Sequence, residues 1–426
     1  CTDFGSLRGS MMFEKYDAYK DSGVEWIGDI PIHWDVKNLR YAFDFLNHRR
    51  IPLSALERGN KQGRYPYYGA SGIIDYVDAY LFDEKLLLIA EDGANLLSKS
   101  TPLAFLAEGK YWVNNHAHIL KPKTEAYGFW EKLLCSVDYT VFITGAAQPK
   151  LSRENLGGIR LPIPPINEQL KIEKFLDQKT SEIDQAIAIK EQQIALLNER
   201  KQIVIQKAVT QGLDPNVPMK DSGVEWIGQI PEHWNVIRAK YLFKEVEERS
   251  VLGNEELLSV SHLTGVTPRS EKNVSMFMAE DYSGSKVCKR HDLVMNIMWA
   301  WMGALGVSDY DGIVSPAYGV YRQKIANTFN SEYLEYLLKT TKYIEHYNRV
   351  STGLHSSRLR FYGHMFFNMK LGFPCLDEQS EIIVRIKNQT SKIELAVENL
   401  ANQIEKLKEY KTTLINDAVT GKIKVA

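Results

Sequence analysis

Apolar residues spaced alternately four and three apart run for more than four heptads in two places, and nothing else in the sequence constrains the chain as much. The first series is Leu176, Thr180, Ile183, Ile187, Lys190, Ile194, Leu197, Lys201, Val204 and Ala208, seven of ten apolar. Shifted by 210 residues, the same ruler meets Ile386, Thr390, Ile393, Val397, Leu400, Ile404, Leu407, Lys411, Leu414 and Ala418, eight of ten apolar. Stripes of this kind cannot stay in water, and two of equal length bury each other most simply. The first helix, expected from Asn167 to about Val209, leaves the first half of the chain and enters the second. The second helix must run back to pair with it, so an antiparallel pair is expected. At ~1.5 Å per residue the rod is roughly 60 Å long, with a globular unit expected at each end. The alternative is a helix pair buried inside one large domain.

A second duplication supports the two-unit reading. Lys20-Asp-Ser-Gly-Val-Glu-Trp-Ile-Gly28 continues to Ile30-Pro31, His33-Trp34 and Val36, and 14 of its 17 positions recur 200 residues later, from Lys220 to Val236. The linker between the first helix and this second copy, Gln211 to Pro218, carries the Gly and Pro residues that stop a helix. By symmetry the first copy is expected against the far end of the second helix. The His-Trp pairs have no other His, Cys or carboxylate at fixed spacing beside them, so Trp26, Trp34 and their echoes are read as packing residues.

Between each head repeat and its helix lie about 140 residues of mixed pattern. In the first stretch Leu86–Ala90 reads as a buried strand, and Tyr111–Val113 with His118–Leu120 as a second. Leu293–Met295 and Gly319–Tyr321 take the same parts later, and Asn115-His116-Ala117 is matched to Ser315-Pro316-Ala317. Helices are expected at Glu125–Val137 and Ser331–Asn348. Elsewhere the two stretches differ strongly. Like frames around unlike contents predict two related modules that recognise different things.

Composition narrows the class. Fifty-two Lys and Arg against 53 Asp and Glu give a net charge of -1, so any surface for nucleic acid must be local. The four cysteines (Cys1, Cys135, Cys288, Cys375) lack metal-ligand spacing, which fits a reducing cytoplasm and argues against zinc. No run reaches the ~18 apolar residues of a membrane span. Residues 1–10 have no echo later, and the folded chain is expected to begin near Met12.

Basic residues interleaved with aromatics and amides supply the candidate DNA contacts. In the first unit these are Arg49, Arg50, Arg64, Tyr67, Asn114, Asn115, His116, Gln148, Lys150 and Arg153. In the second they are Lys289, Arg290, Trp299, Trp301, Ser351, His355, Arg358 and Arg360. Cations neutralise phosphates, while Asn, Gln, Arg and His pair with base edges. Any one cluster reads equally as a solvated face. The loops Thr144–Gln148 and Thr352–His355 stand out because they occupy matching frames, contain Gly and precede basic residues. Catalytic signatures are missing: there is no phosphate-binding loop, no Asn/Asp-Pro-Pro-aromatic tetrad, no glycine fingerprint, no nuclease carboxylate set and no GxSxG elbow.

The chain resembles the specificity subunit of type I restriction-modification systems. The resemblance rests on the head repeats, on Tyr67 to Val77, on Gly312 to Tyr318, and on the junctions Pro164-Pro-Ile-Asn-Glu168-Gln169 and Pro374-Cys-Leu-Asp-Glu378-Gln379. The tails Ala208-Val-Thr-Gln-Gly212 and Ala418-Val-Thr-Gly421 complete it. It implies an α+β fold of two mixed target-recognition domains joined by two long antiparallel coiled-coil helices, with internal pseudo-two-fold symmetry. The boundaries are then 12–163 and 213–373 for the recognition domains, and 164–212 and 374–426 for the helices. It also implies a non-catalytic subunit in which each domain reads half of a bipartite double-stranded DNA target. The helices would set the spacing and dock methyltransferase (modification) subunits, and through them restriction subunits. S-adenosylmethionine, ATP and magnesium belong to those partners, with no cofactor on this chain. Two alternatives remain at this stage, a coiled-coil scaffold without DNA specificity and a single-chain DNA-modifying enzyme.

Overall fold

The computed structural model describes residues 13–145, 148–271, 281–353 and 358–425. The fold is α+β, and the chain divides into two compact units, Cys1–Glu191 with Asn402–Ala426, and Gln192–Ala401.

The long helices are Ile166–Gln211 and Leu376–Val419. All ten positions of each apolar series are at least partly buried. In the first unit Asp184 takes Lys411 at 2.7 Å and Lys190 meets Gln403; in the second Lys201 meets Glu394. Partners fall in number as positions rise in the first unit, and in the second Ala208 and Val209 share a core with Ile382 and Ile386, so the helices run antiparallel within each unit. Three of the polar seam slots are therefore occupied by lysines. Their stems cover the seam while their ammonium groups reach an acid or amide on the opposite helix.

Each unit is closed by the same clasp. The head repeat forms a hairpin, Tyr19–Asp21 with Asp29–Pro31, and its echo pairs Met219–Asp221 with Gln229–Pro231. The next strand, Asp35–Asn38, pairs with Arg160–Ile163 just before the first long helix. Asn235–Arg238 pairs likewise with Lys370–Phe373 before the second. The C-terminal turn of each long helix then enters the opposite head's core. Ala418 and Val419 pack in one core with Trp34, and Ala208 and Val209 in another with Trp234. Gly421 and Gly212 both end their helices at positive φ (76° and 79°), where a side chain would be strained.

The central sheets share one strand order. In the first unit it is Phe43–Phe45, Ala117–Pro122, Leu86–Ala90, Ala104–Ala107; in the second, Phe243–Glu245, Gly319–Gln323, Leu293–Met295, Leu305–Val307. Every neighbouring pair in both is antiparallel. A helix covers each sheet, Tyr127–Ser136 with buried Phe129, Trp130, Leu133 and Leu134, and Ser331–Leu338 with buried Tyr333, Leu334, Leu337 and Leu338.

Three sequence expectations change. Tyr111–Val113 and His118–Leu120 are not one strand: Lys110–Val113 and Ala117–Pro122 lie in different sheets, parted at a turn where Asn114 Oδ1 accepts the His116 N–H at 2.8 Å. Ser331–Asn348 is two helices, because Thr340 takes an extended conformation and Thr341–Val350 starts anew. The match of residues 115–117 to 315–317 slips by one. Leu46 N donates to Ile119 O as Val246 N donates to Val320 O, and Ser315 Oγ accepts from Ala317 as Asn114 does from His116.

Outside the shared frame the units part. The first adds a second four-stranded sheet, ordered Gly72–Val77, Gln62–Gly69, Lys110–Val113, Phe82–Asp83. Among its described residues the second has the strand pairs Leu258–Ser261 with Gly265–Pro268 and Lys286–Cys288 with Gly312–Val314, linked by a parallel bridge between Leu257 and Ile313.

Candidate nucleic-acid interface

In the first unit three chain segments meet just past the strand Leu86–Ala90. Glu91 N donates to His116 O at 2.8 Å, and Leu151 N donates to Glu91 O at 2.8 Å. The Glu91 carboxylate takes Arg50 Nη1 at 2.5 Å and has Lys150 Nζ at 3.6 Å. The Arg50 guanidinium also donates to Ala117 O (2.8 Å), Asn115 O (3.1 Å) and Asn47 O (3.1 Å). Burial opposes ionisation of Glu91, but the Arg50 hydrogen bond and the surrounding cations hold its carboxyl below the usual range.

His118 sits buried behind this group. Asn47 Oδ1 accepts the Ile119 N–H, so the Asn47 amide nitrogen donates to His118 Nδ1 at 2.8 Å, and His118 Nε2 donates to Leu151 O at 2.8 Å. That arrangement uses the neutral ring. Although Nδ1 lies 3.6 Å from Glu91, it receives the amide proton and forms no ion pair there. Burial accordingly lowers the His118 pKa.

The candidates Asn115, His116, Gln148 and Lys150 are exposed on these segments. His116 Nδ1 lies 2.8 Å from Asp92 Oδ1, and Thr144 and Lys150 exchange backbone bonds at 2.9 and 2.8 Å. A rim of amide, imidazole and ammonium groups results. The other first-unit candidates are spread more widely. Arg49 pairs with Glu84 at 2.7 Å and covers the Phe82 ring, Arg64 stands exposed beside Tyr65, and Arg153 lies over the Phe45 ring. Two candidates are corrected. Tyr67 is fully buried with its hydroxyl accepting from Leu53 N at 2.9 Å, and Asn114 is buried as the turn cap described above. Neither side chain faces outward.

In the second unit Lys289 and Arg290 are exposed at the turn before Leu293–Met295, with their backbone N–H groups held by Asp292 and Asp311. Trp299 and Trp301 follow the same strand, so the structure sets these two pairs at its opposite ends. The indole rings stack at 5.9 Å and 29°, and Trp301 Nε1 donates to Met298 O at 2.9 Å. Trp299 is 45% exposed and lines an apolar pocket of about 320 Å³ with Val260, His262, Asn296 and Met302. Arg360 exchanges backbone bonds with Thr352 (3.1 and 2.9 Å), the counterpart of the Thr144–Lys150 pair, and Arg358 is exposed nearby in sequence. The candidate Ser351 is corrected too: its hydroxyl is buried, with no hydrogen-bond partner among the described residues, at the end of the helix Thr341–Val350. His355 lies outside the described residues.

Sequence reasoning missed the carboxylate behind each His-Trp pair. Glu168 accepts from Trp34 Nε1 (3.0 Å) and Tyr16 hydroxyl (3.1 Å) and lies 2.6 Å from His33 Nε2. Glu378 repeats the bonds to Trp234 (3.0 Å) and His233 (2.7 Å). Burial works against an ionised Glu168, and the Trp34, His33 and Tyr16 bonds overcome it, leaving the pKa lowered. The signal was present, because both acids stand at the same place in the two junction motifs. Among the described residues no group of His, Cys, Asp or Glu is arranged to hold a metal, and no helix is long and apolar enough to cross a membrane.

Residues 31–199 match the family model of the type I restriction modification DNA specificity domain. Over 442 residues the chain is 24% identical to the specificity subunit of the type I restriction enzyme MjaVIII of Methanocaldococcus jannaschii, covering 97% of this chain and 98% of that one. Over nearly its whole length the chain is similar to specificity subunits of type I restriction enzymes. A shorter match, 34% identical over 161 residues, joins it to a putative specificity subunit of Haemophilus influenzae, and spans 38% of each protein. A chain solved in work on assembly and conformational transition of the type I R-M system shares the fold, with TM-score 0.63 at 13% identity over 92% of this chain and 98% of that one.

Proposed function

We propose that each compact unit reads one half of a bipartite double-stranded DNA target, and that the long helices set the separation of the halves. The helices also dock modification subunits, which bring in restriction subunits. S-adenosylmethionine is carried by the modification subunits and ATP and magnesium by the restriction subunits. In the first unit Asn115, His116, Gln148 and Lys150 face the bases, with Arg49, Arg50, Arg64 and Arg153 supplying positive charge around them. In the second unit Lys289, Arg290, Trp299, Trp301, His355, Arg358 and Arg360 share those tasks.

The observation that carries this reading is one strand order holding two unlike rims. The first rim is charged and amide-rich, the second carries stacked indoles and an apolar pocket. Base edges demand different donors and acceptors at each step, so unlike rims suit unlike half-sites. The test lengthens both helices by one heptad, which keeps the seam in phase. Since Lys201 faces Glu394, an insertion after Asn198 is matched by one after Val397. Seven residues add ~10 Å at ~1.5 Å each, equivalent to about three base pairs at roughly 3.4 Å per step. Sequencing the sites methylated by the reconstituted complex should show the spacer longer by about two to four base pairs and both half-sites unchanged. An active double-insertion variant with an unchanged spacer contradicts the reading.

A further inference from the structure

Glu91 has a place in the frame that the second unit fills differently. Ile89 pairs with both Ala104 and His118, as Met295 pairs with both Leu305 and Gly319. Two residues on, Glu91 O accepts from Leu151 N, as Ile297 O accepts from Phe361 N. The position of Glu91 therefore corresponds to Ile297 and that of His118 to Gly319. The strand offset of 200 at Phe45 and Glu245, fixed by their partners Leu120 and Tyr321, carries Arg50 to Ser250. Of the ionic group only Lys150 keeps a charged counterpart in the frame of the second unit, Arg360; the Glu91–Arg50 pair has none. It is an addition, placed where the three rim segments join.

The addition costs something to keep. Glu91 and Arg50 side chains are only 14% and 15% exposed, and burying such a pair is no reliable source of stability. Its specific effect is geometric. One carboxylate fixes Arg50, whose Nη1 is shared between that carboxylate and the carbonyls of Asn115 and Ala117 on one side of the rim. The same carboxylate faces Lys150 on the other side. Exposed Asn115, His116 and Gln148 project from the segments so joined.

We propose that Glu91 is a positioning residue for the first half-site: it touches no base, but holds the segments that do and balances the charges of Arg50 and Lys150 beside it. This rests on the proposed reading of one half-site per unit. Replacing the carboxylate by an amide, Glu91→Gln, keeps the shape and removes the charge. Two changes should then appear together. The rim loosens, so discrimination at the first half-site falls about tenfold, the order of one good base contact. Arg50 and Lys150, no longer balanced, bind phosphate without regard to sequence. Affinity for random duplex rises, and the slope of log K against log salt steepens by about 0.9 for each further phosphate neutralised.

The experiment uses the full chain with its modification subunits. Sites are first selected from a random-sequence duplex pool with the wild-type protein. Binding of Glu91→Gln is then measured on the selected site, on duplexes altered in one half or the other, and on random duplex across a salt series. The expected result is loss at the first half only, with a steeper slope on random DNA; adding Arg50→Gln should bring the slope back. Unchanged discrimination and slope overturn the proposal. Equal loss at both halves with an unchanged slope also overturns it, since that is what general destabilisation produces. If Glu91→Gln does not fold, Glu91→Asp, which withdraws the carboxylate by one methylene, is measured the same way; wild-type discrimination and slope in that variant overturn the proposal. A wild-type protein that selects no bipartite site defeats the broader reading and this inference with it, an outcome distinct from failure of Glu91 alone.

Discussion

The first unit builds its rim on charge and the second on aromatic packing, yet both hang from one frame. In the first, Glu91, Arg50 and Lys150 join three segments around a buried neutral histidine. In the second, glycine stands where that histidine is and isoleucine where that glutamate is, and Trp299 stacks on Trp301 beside an apolar pocket. The clasp, the head hairpin and the helix seam are repeated with little change. Side-chain chemistry has thus been varied at the ends of strands whose pairing stays constant, and the comparison can be broken at either level.

The largest effects belong to the shared frame. Trp34→Ala and Trp234→Ala each remove a fully buried indole that also donates to a glutamate on the adjoining long helix. Each should cost about 3–5 kcal/mol in denaturant titration, with the two losses alike. Clearly unequal losses would mean the frames are not equivalent. The next contrast separates the units. Arg50→Ala leaves the Glu91 carboxylate without its main partner and should cost about 3 kcal/mol, at the low end for a buried pair because some exposure remains. At the matching position Ser250→Ala loses a hydroxyl bonded to Glu255 and should cost about 1 kcal/mol. Similar costs at the two positions would remove the asymmetry argued above.

A smaller difference is expected at the latch. Glu168→Gln should lower stability by about 1–2 kcal/mol, and Glu378→Gln by somewhat less, because only Glu168 accepts from a tyrosine hydroxyl as well. Thermal unfolding of the two variants side by side measures it, and a larger loss at Glu378 would contradict it.

The smallest effect is in pH. Burial pushes the His118 pKa down in the first unit, and burial with the nearby Arg349 pushes His346, stacked on Trp226, down to about 4 in the second. Protonation of either ring favours the unfolded chain. The His346 contribution is intact above the ordinary histidine pKa of about 6.5 and is lost as pH falls from there towards about 4, and His118 acts in the same direction. His346→Gln should flatten the acid limb of the stability profile over that range. A steeper limb in the variant would show the sign to be wrong.

These contrasts follow the division between what was readable in the sequence and what was not. The helix seam, the head hairpins and the buried strands were legible because each is written as a local period or an explicit repeat. Tyr67 and Asn114 were misplaced because an aromatic or amide in a polar stretch looks the same whether it packs inward or faces water. The Glu91 group was invisible for another reason. Its members come from positions 50, 91, 118 and 150, and only the pairing of Leu86–Ala90 with Ala117–Pro122 brings them together. Glu168 lies between these cases, since its repeat at Glu378 is legible in the junction motifs but its distant His-Trp partners are not.

The most direct measurement is the sequence that the full chain selects, with its modification subunits, from a random duplex pool. The account predicts two short specified blocks of unrelated sequence separated by a constant unread spacer. It further predicts that Lys150→Gln with His116→Ala alters only one block. A single uninterrupted block, two copies of the same block, or simultaneous change of both blocks in that variant would contradict the claim that one frame, used twice, reads two different halves.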